Sequence, residues 1–202
     1  FGQRGDHGQP RPGLLLGRDD RIDRRIPGRR IAAICARHVH DQHVQPQLAL
    51  RVTDREVHRA TGLTPLSVSA NLIAYPAFRW AGIEARLREQ QIDVSRDGSG
   101  VVAEVYPAAA LYRWGLPHTG YKGPQRTAIR QQIITGLTQQ FPALDWRGYA
   151  ALVVANDNAL DAVVAGLVSH QILGGRCEGP PEGYRATAQI EGWIWLPQRS
   201  EY

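Results

Sequence analysis

The chain of 202 residues is long enough for one domain, or for one domain with a tail. Its longest early apolar run, Leu14-Leu15-Leu16, is far shorter than a membrane span, so we expect no membrane partner. The formal net charge of +5 favours an acidic partner such as nucleic acid, and the two cysteines, Cys35 and Cys177, lack metal-ligand spacing, so we expect a reducing, cytoplasmic location.

Residues 1–50 differ from the rest in composition. They contain no Ser, Thr, Glu, Lys, Asn, Tyr or Trp, and nine Arg against five Asp give them most of the chain's net charge. Apart from residues 13–16 and 31–35, no window has the periodicity of a helix or strand. We therefore predict that this segment is atypical: either a disordered arm or a stretch translated out of frame, a question that the nucleotide sequence would answer.

After residue 50 the pattern is typical of a folded domain. Residues 51–62 predict a helix that begins at Thr53, with Glu56 completing a capping box. Residues 69–90 predict a second helix, bent or restarted at Pro76.

The middle of the chain predicts a buried strand followed by two helices. The strand covers residues 101–106 and ends at Pro107. A short helix over residues 108–114 and a loop over residues 121–123 precede a longer helix over residues 124–140.

The C-terminal part predicts a second helix-and-strand unit. Residues 150–155 are an apolar run typical of a strand or a buried turn, and residues 156–173 form a helix stopped by two glycines. Residues 190–196 predict a last strand with Trp193 and Trp195 on one face. Strands that alternate with helices predict an α/β layer fold over residues 51–202.

Glu104 stands among apolar neighbours in the predicted middle strand. A carboxylate buried there needs a cation, a metal or hydrogen bonds to offset the cost of burial. The alternative is an edge strand on which Glu104 points to solvent.

Asp157 and Asp161 lie four residues apart, on one face of the predicted helix 156–173. Stabilisation of the helix start explains Asp157, with Asn156 as the cap. Asp161 lies one turn deeper, on the apolar stripe with Val164 and Val168, and a helix start does not explain it.

Lys122 is the only lysine in the chain. Its place between Tyr121 and Gly123, in a loop before an Arg-bearing helix, suits contact with a phosphate or a carboxylate, and a solvated surface lysine is the alternative. Arg51 and Asp54 are spaced as an ion pair on a helix.

Six motifs occur in an order that resembles the DUF429 family of predicted RNase H-like nucleases, over about residues 51–197. They are Arg-Val-Thr-Asp (51–54), Thr-Gly-Leu-Thr-Pro-Leu-Ser-Val-Ser (61–69), Glu-Val-Tyr-Pro (104–107), Tyr-Lys-Gly (121–123), Asp-x-x-x-Asp-Ala (157–162) and Glu-Gly-Trp-Ile-Trp-Leu-Pro (191–197).

The resemblance implies an RNase H-like mixed sheet with helices on both faces and a two-metal nuclease mechanism. Carboxylates at strand ends and on the last helix would hold Mg²⁺ or Mn²⁺ for phosphodiester cleavage. By motif position, Glu104 and Asp161 would be metal ligands, Asp157 a further ligand or a group supporting one, and Lys122 a contact for phosphate. These four are the candidate catalytic residues.

The chain departs from the family at its N-terminal side. The family usually has an Ile-Asp-Ala-Pro-like run on the first strand of an opening three-stranded meander, and residues 1–50 contain neither. We therefore expect the meander to be absent or poorly formed, metal binding to be weak and activity to be low. Two other hypotheses remain: a non-catalytic RNase H-like domain that binds nucleic acid, a nucleotide or a protein, and a frameshifted product without function. The sequence does not indicate an oligomeric state.

Overall fold

A computed structural model of the protein describes residues 32–35, 50–66 and 74–199. The described strands are β1 (Ala32–Cys35), β2 (Val102–Val105), β3 (Cys177–Glu178) and β4 (Ile194–Pro197). The described α-helices are α1 (Val52–Thr61), α2 (Ala74–Glu89), α3 (Pro107–Arg113), α4 (Thr127–Gln140), α5 (Ala150–Ala155), α6 (Asp157–Leu173) and α7 (Arg185–Glu191). Short 3-10 helices at Pro124–Arg126 and Glu182–Tyr184 precede α4 and α7.

The strands form one sheet in the order β1-β2-β4-β3. β1, β2 and β4 are parallel, with Glu104 opposite Ile34 on one side and Ile194 on the other. β3 is antiparallel to β4 and pairs Cys177 with Pro197. The predicted mixed α/β arrangement is therefore confirmed. Because β2 has a neighbour on each side, the alternative of Glu104 on an edge strand is wrong.

β1 coincides with the window at residues 31–35 in which the first fifty residues show a periodic apolar pattern. Residues 1–31 and 36–49 lie outside the described residues, as do residues 67–73 at the start of the second predicted helix. The absence of the opening meander and the domain boundary after residue 50 therefore stay predictions.

α1 begins directly after Arg51, and the predicted capping box of Thr53 and Glu56 is wrong. The carboxylate of Asp54 accepts a hydrogen bond from the backbone N–H of Arg51 at 2.9 Å. Thr53 is buried, and its hydroxyl accepts a hydrogen bond from the backbone N–H of Ile194 at 2.8 Å. Thr53 therefore makes a tertiary contact with β4, although its sequence spacing to Glu56 predicted that it caps the helix.

Two prolines mark helix starts in different ways. Pro76 lies in the first turn of α2, where a missing backbone N–H costs little. The predicted bend or restart at Pro76 stays a prediction, because residues 67–73 lie outside the described residues. Pro107 is the first residue of α3 and ends β2 as predicted, because its fixed φ suits a first helical position.

Residues 150–155 form the helix α5, so the predicted strand or buried turn is wrong. Of its apolar side chains only Val153 is buried, while Leu152 is exposed. Six apolar residues in a row do not distinguish a helix from a strand, because both periods fit such a run.

α6 is the central helix of the molecule. The side chain of Asn156 caps it by accepting hydrogen bonds from the backbone N–H groups of Asn158 and Ala159 at 2.9 and 3.3 Å, as predicted. α6 packs against β1, β2 and β4, and against α3 and α5. Its fully buried members Leu160, Val164 and Val168 belong to the main hydrophobic core.

The C-terminal part contains two elements that the sequence did not predict, β3 and α7. β4 begins at Ile194, later than expected, because α7 continues to Glu191. Trp193 is buried and stacks on Tyr184, with ring centroids 6.0 Å apart. None of the described helices is long and apolar enough to cross a membrane.

Candidate functional site

Arg51 binds two carboxylates at once, in a group that we call the Arg51 cluster (Arg51, Asp54, Glu104 and Glu191). Its guanidinium donates to both oxygens of Glu104 at 2.8 Å each, and to the two oxygens of Asp54 at 3.0 and 3.1 Å. This two-pronged geometry is the strong form of an arginine–carboxylate pair. The predicted Arg51–Asp54 pair is confirmed, and Arg51 is also the cation paired with Glu104, whose side chain is partly buried.

The Arg51 cluster joins three of the six motifs. Arg51 also donates to the backbone carbonyl of Glu191 at 3.1 Å, and the Glu191 carboxylate accepts from the backbone N–H of Val52 at 2.8 Å. The next residue, Gly192, has φ 91°, and a Cβ there would lie 3.1 Å from Nη1 of Arg51 and 3.2 Å from Oε2 of Glu104. Only glycine leaves room for this ion pair at that backbone conformation.

The charge state of Arg51 is set by its partners. Burial acts to lower the pKa of the guanidinium, but its hydrogen bonds to Glu104 and the charge of that carboxylate, followed by those of Asp54, outweigh burial and raise the pKa. Arg51 therefore stays charged at neutral pH.

A second group, which we call the Lys122 cluster, consists of Tyr121, Lys122, Gly123, Asp157 and Asp161. The Lys122 ammonium pairs with Oδ2 of Asp161, and the Tyr121 hydroxyl donates to Oδ1 of Asp161 at 3.0 Å. The backbone N–H of Gly123 donates to Oδ2 of Asp157 at 2.7 Å. Three consecutive loop residues thus hold the two carboxylates at the start of α6.

The two sides of the Lys122 cluster differ in exposure. Asp161 is 7% exposed, as its place on the apolar stripe predicts. The side chain of Lys122 is 43% exposed, and its nitrogen lies 4.9 Å from the centroid of the Tyr121 ring. A positive charge therefore stands between a buried carboxylate and solvent, where a ligand can reach it.

Tyr106 places the end of β2 beside the Lys122 cluster. It follows Glu104 by two residues in extended backbone, so the two side chains leave the chain on the same side. Burial, and then the negative charge of Asp161, raise the pKa of the Tyr106 hydroxyl. Tyr106 therefore stays neutral, and its hydroxyl, just after the end of β2, lies close enough to Asp161 to be affected by that charge.

Of the four predicted site residues, the structure brings Lys122, Asp157 and Asp161 together around one loop. Glu104 belongs to the Arg51 cluster, and the hydrogen bonds of its carboxylate are to Arg51. Within the described ranges, no three His, Cys, Asp or Glu side chains are placed to hold a metal ion. The assignment of Glu104 as a metal ligand therefore stays a prediction.

Arg130 was not among the predicted site residues, but its guanidinium binds the backbone of the loop in the Lys122 cluster. It donates to the carbonyl oxygens of Tyr121 and Gly123 at 2.6 and 2.7 Å. A signal was present, because Arg130 precedes the buried Ile133 by three residues and the buried Leu137 by seven, which places it on the buried stripe of α4.

Comparison with known protein families matches residues 32–185 to the family described as "Protein of unknown function (DUF429)". The match begins at β1, inside the segment of atypical composition, and ends before β4. No curated protein and no solved structure matches the chain.

Proposed function

The chain belongs to the DUF429 family, and from that premise we propose that it is an RNase H-like, metal-dependent nuclease whose site is the Lys122 cluster. The order of the parallel strands β1, β2 and β4 supports an RNase H-like sheet. So does the packing of α6, which carries Asp157 and Asp161, against all three of these strands.

The observation that carries the proposal is the convergence of Lys122, Asp157 and Asp161. Two separate motifs supply them, and the contacts join residues 39 and 34 positions apart in sequence. A half-exposed lysine beside two carboxylates provides both a contact for a phosphate and oxygen ligands for a cation.

The donor set of the Lys122 cluster fits Mg²⁺ or Mn²⁺. Mg²⁺ is commonly held by one or two carboxylates, with water and substrate phosphates completing its shell, so Asp157 and Asp161 suffice as protein ligands. The pairing of the Lys122 ammonium with Asp161 supports the proposal that a positive charge is favourable at this position. The chemistry supplied by a bound ion is polarisation of the phosphoryl group and activation of water.

The chain's own residues have distinct parts in this proposal. Tyr121 fixes the orientation of the Asp161 carboxylate through its hydroxyl. Asp157 fixes the loop through the backbone N–H of Gly123. Lys122, which pairs with Asp161, would provide the contact for the phosphate of the substrate.

The test is metal-dependent cleavage of labelled single- and double-stranded DNA and RNA by the full chain, with Mg²⁺ or Mn²⁺ and with chelator. We expect cleavage that chelator abolishes and that Asp161→Asn lowers at least a hundredfold. Asp145→Asn is the matched control, because the Asp145 side chain is 71% exposed and its ion pair is with the neighbouring Arg147. No cleavage of any substrate, or equal rates for wild type and Asp161→Asn, would overturn the proposal.

A second candidate is a non-catalytic RNase H-like domain that binds nucleic acid or a nucleotide. It is favoured by one specific observation: Glu104 and Asp161 already have cationic partners from this chain, Arg51 and Lys122. Fluorescence anisotropy of labelled oligonucleotides would then show binding that needs no divalent metal and is not followed by cleavage. Binding that requires Mg²⁺ or Mn²⁺ would contradict this candidate.

A further inference from the structure

Arg130 on α4 is the largest fully buried side chain in the described part of the protein, with 0% exposure. Its guanidinium donates to four backbone carbonyl oxygens. No ion pair to a carboxylate is found for it among the described residues. A buried charge of this kind persists only where other groups compensate it, so the carbonyl groups are its counter-charge.

The four carbonyl groups come from two separate segments. Tyr121 and Gly123, at 2.6 and 2.7 Å, flank Lys122 in the loop. Val154 and Ala155, at 2.5 and 3.3 Å, are the last residues of α5. Carbonyl groups at a helix C-terminus lack partners within the helix and carry its negative dipole end, which suits a guanidinium.

These contacts involve the loop that carries Lys122 and the segment that leads into Asp157 and Asp161. On one side the guanidinium fixes the backbone before and after Lys122. On the other side it fixes Ala155, which is followed directly by the cap Asn156 and by Asp157 at the start of α6. One side chain therefore joins the loop that carries the cation to the chain segment that leads into the two carboxylates.

We infer that Arg130 is a positioning residue that holds Lys122 over Asp161. The inference deepens the proposed function and rests on it for its catalytic consequence. Lysine cannot substitute, because one ammonium lacks the planar fork of five donors that reaches two segments at once.

The measurement uses the fact that Lys122 is the only lysine of the chain. Lysine labelled with ¹³C at the ε position gives a single NMR signal, which reports the place of Lys122 beside Asp161 and the Tyr121 ring. In Arg130→Lys the two lysine signals are distinguished by adding Lys122→Arg to the same background. We expect the Lys122 signal to move most of the way to its position in the unfolded chain while the circular dichroism stays native.

Arg86→Lys is the matched control, because Arg86 is exposed on α2. Its Lys122 signal should be that of the wild type. In parallel, metal-dependent cleavage by Arg130→Lys should show a kcat at least tenfold lower, since small misplacements of a catalytic group are costly.

A native Lys122 signal in a folded Arg130→Lys protein would overturn the inference. If that variant does not fold, Arg130→Gln is read in the same way, and failure of both to fold would assign Arg130 to stability alone and also overturn it. If the wild type cleaves nothing while the Lys122 signal still moves in Arg130→Lys, the nuclease proposal fails and the positioning role stands.

Discussion

Charged side chains in this protein are balanced in groups. Arg51 forms ion pairs with both Asp54 and Glu104, and Lys122 forms an ion pair with Asp161. Removing the cation from such a group costs more than the pair contributes, because the carboxylates are left in a place with little water.

Replacing Arg51 with methionine is expected to lower the free energy of unfolding by about 3 kcal/mol, because two carboxylates lose their cation. Urea unfolding at pH 7 measures the change. Arg79→Met, at an exposed position on α2, should stay within about 0.5 kcal/mol of the wild type. A loss for Arg51→Met no larger than that for Arg79→Met would contradict the reading of the Arg51 cluster.

Cys177 offers a test of burial at a single thiol. Burial raises the pKa of the Cys177 thiol to about 12. The folded state thus binds a proton more tightly than the unfolded state. Its contribution to stability is fully present below the ordinary thiol pKa of about 8.5 and is lost as the pH rises toward 12.

In a Cys35→Ser background, the Cys177 thiol should react with a disulfide reagent at pH 8 at least a hundredfold more slowly in the native protein than in urea, because little thiolate forms. The native rate should still rise at pH 10, where a thiol of ordinary pKa has levelled off. Equal native and unfolded rates, with folding confirmed by circular dichroism, would contradict burial of the thiol.

At the scale of elements, the start of α6 places both carboxylates of the Lys122 cluster. Asn156 caps this helix through two hydrogen bonds to backbone N–H groups. The positions of Asp157 and Asp161 therefore depend on the cap residue Asn156.

Removal of this cap in Asn156→Ala is expected to cost about 1 kcal/mol of unfolding free energy, because two backbone donors lose their partner. Asn156→Asp should retain most of the stability, since a carboxylate accepts the same bonds and suits the helix dipole. Denaturant unfolding of both variants provides the measurement. Equal losses in the two variants would show that the side chain does not cap the helix.

At the scale of the molecule, α6 connects the sheet to the helices around it. It packs against all four described strands and against α3 and α5, and Leu160 in its first turn is fully buried in the main core. A domain with one such core is expected to unfold as a unit.

Truncation in Leu160→Ala should therefore lower the unfolding free energy by about 2–5 kcal/mol through lost contacts and a cavity. Far-ultraviolet circular dichroism and tryptophan fluorescence should give the same shifted midpoint, because the five tryptophans are distributed along the chain from residue 80 to residue 195. Ala162→Gly, at an exposed position of α6, serves as control with a loss near 1 kcal/mol. Two separate transitions would contradict a single unit.

The sequence by itself determined the features that depend on near neighbours. The Arg51–Asp54 pair, the Asn156 cap and the burial of Asp161 all follow from spacings of five residues or fewer, or from the period of a helix. The α/β class followed in the same way from alternating patterns. Such features are local, so the chain needs no knowledge of its distant parts to specify them.

Only the tertiary structure decided which distant groups meet. It paired Glu104 with Arg51, 53 residues away, and Lys122 with Asp161, 39 residues away. It also decided that residues 150–155 form a helix, and that the hydroxyl of Thr53 bonds to β4 and does not cap α1. Side chains of opposite charge are spread along the whole sequence, and sequence spacing does not show which of them meet. The packing of the helices on the sheet and on one another brings particular pairs within reach.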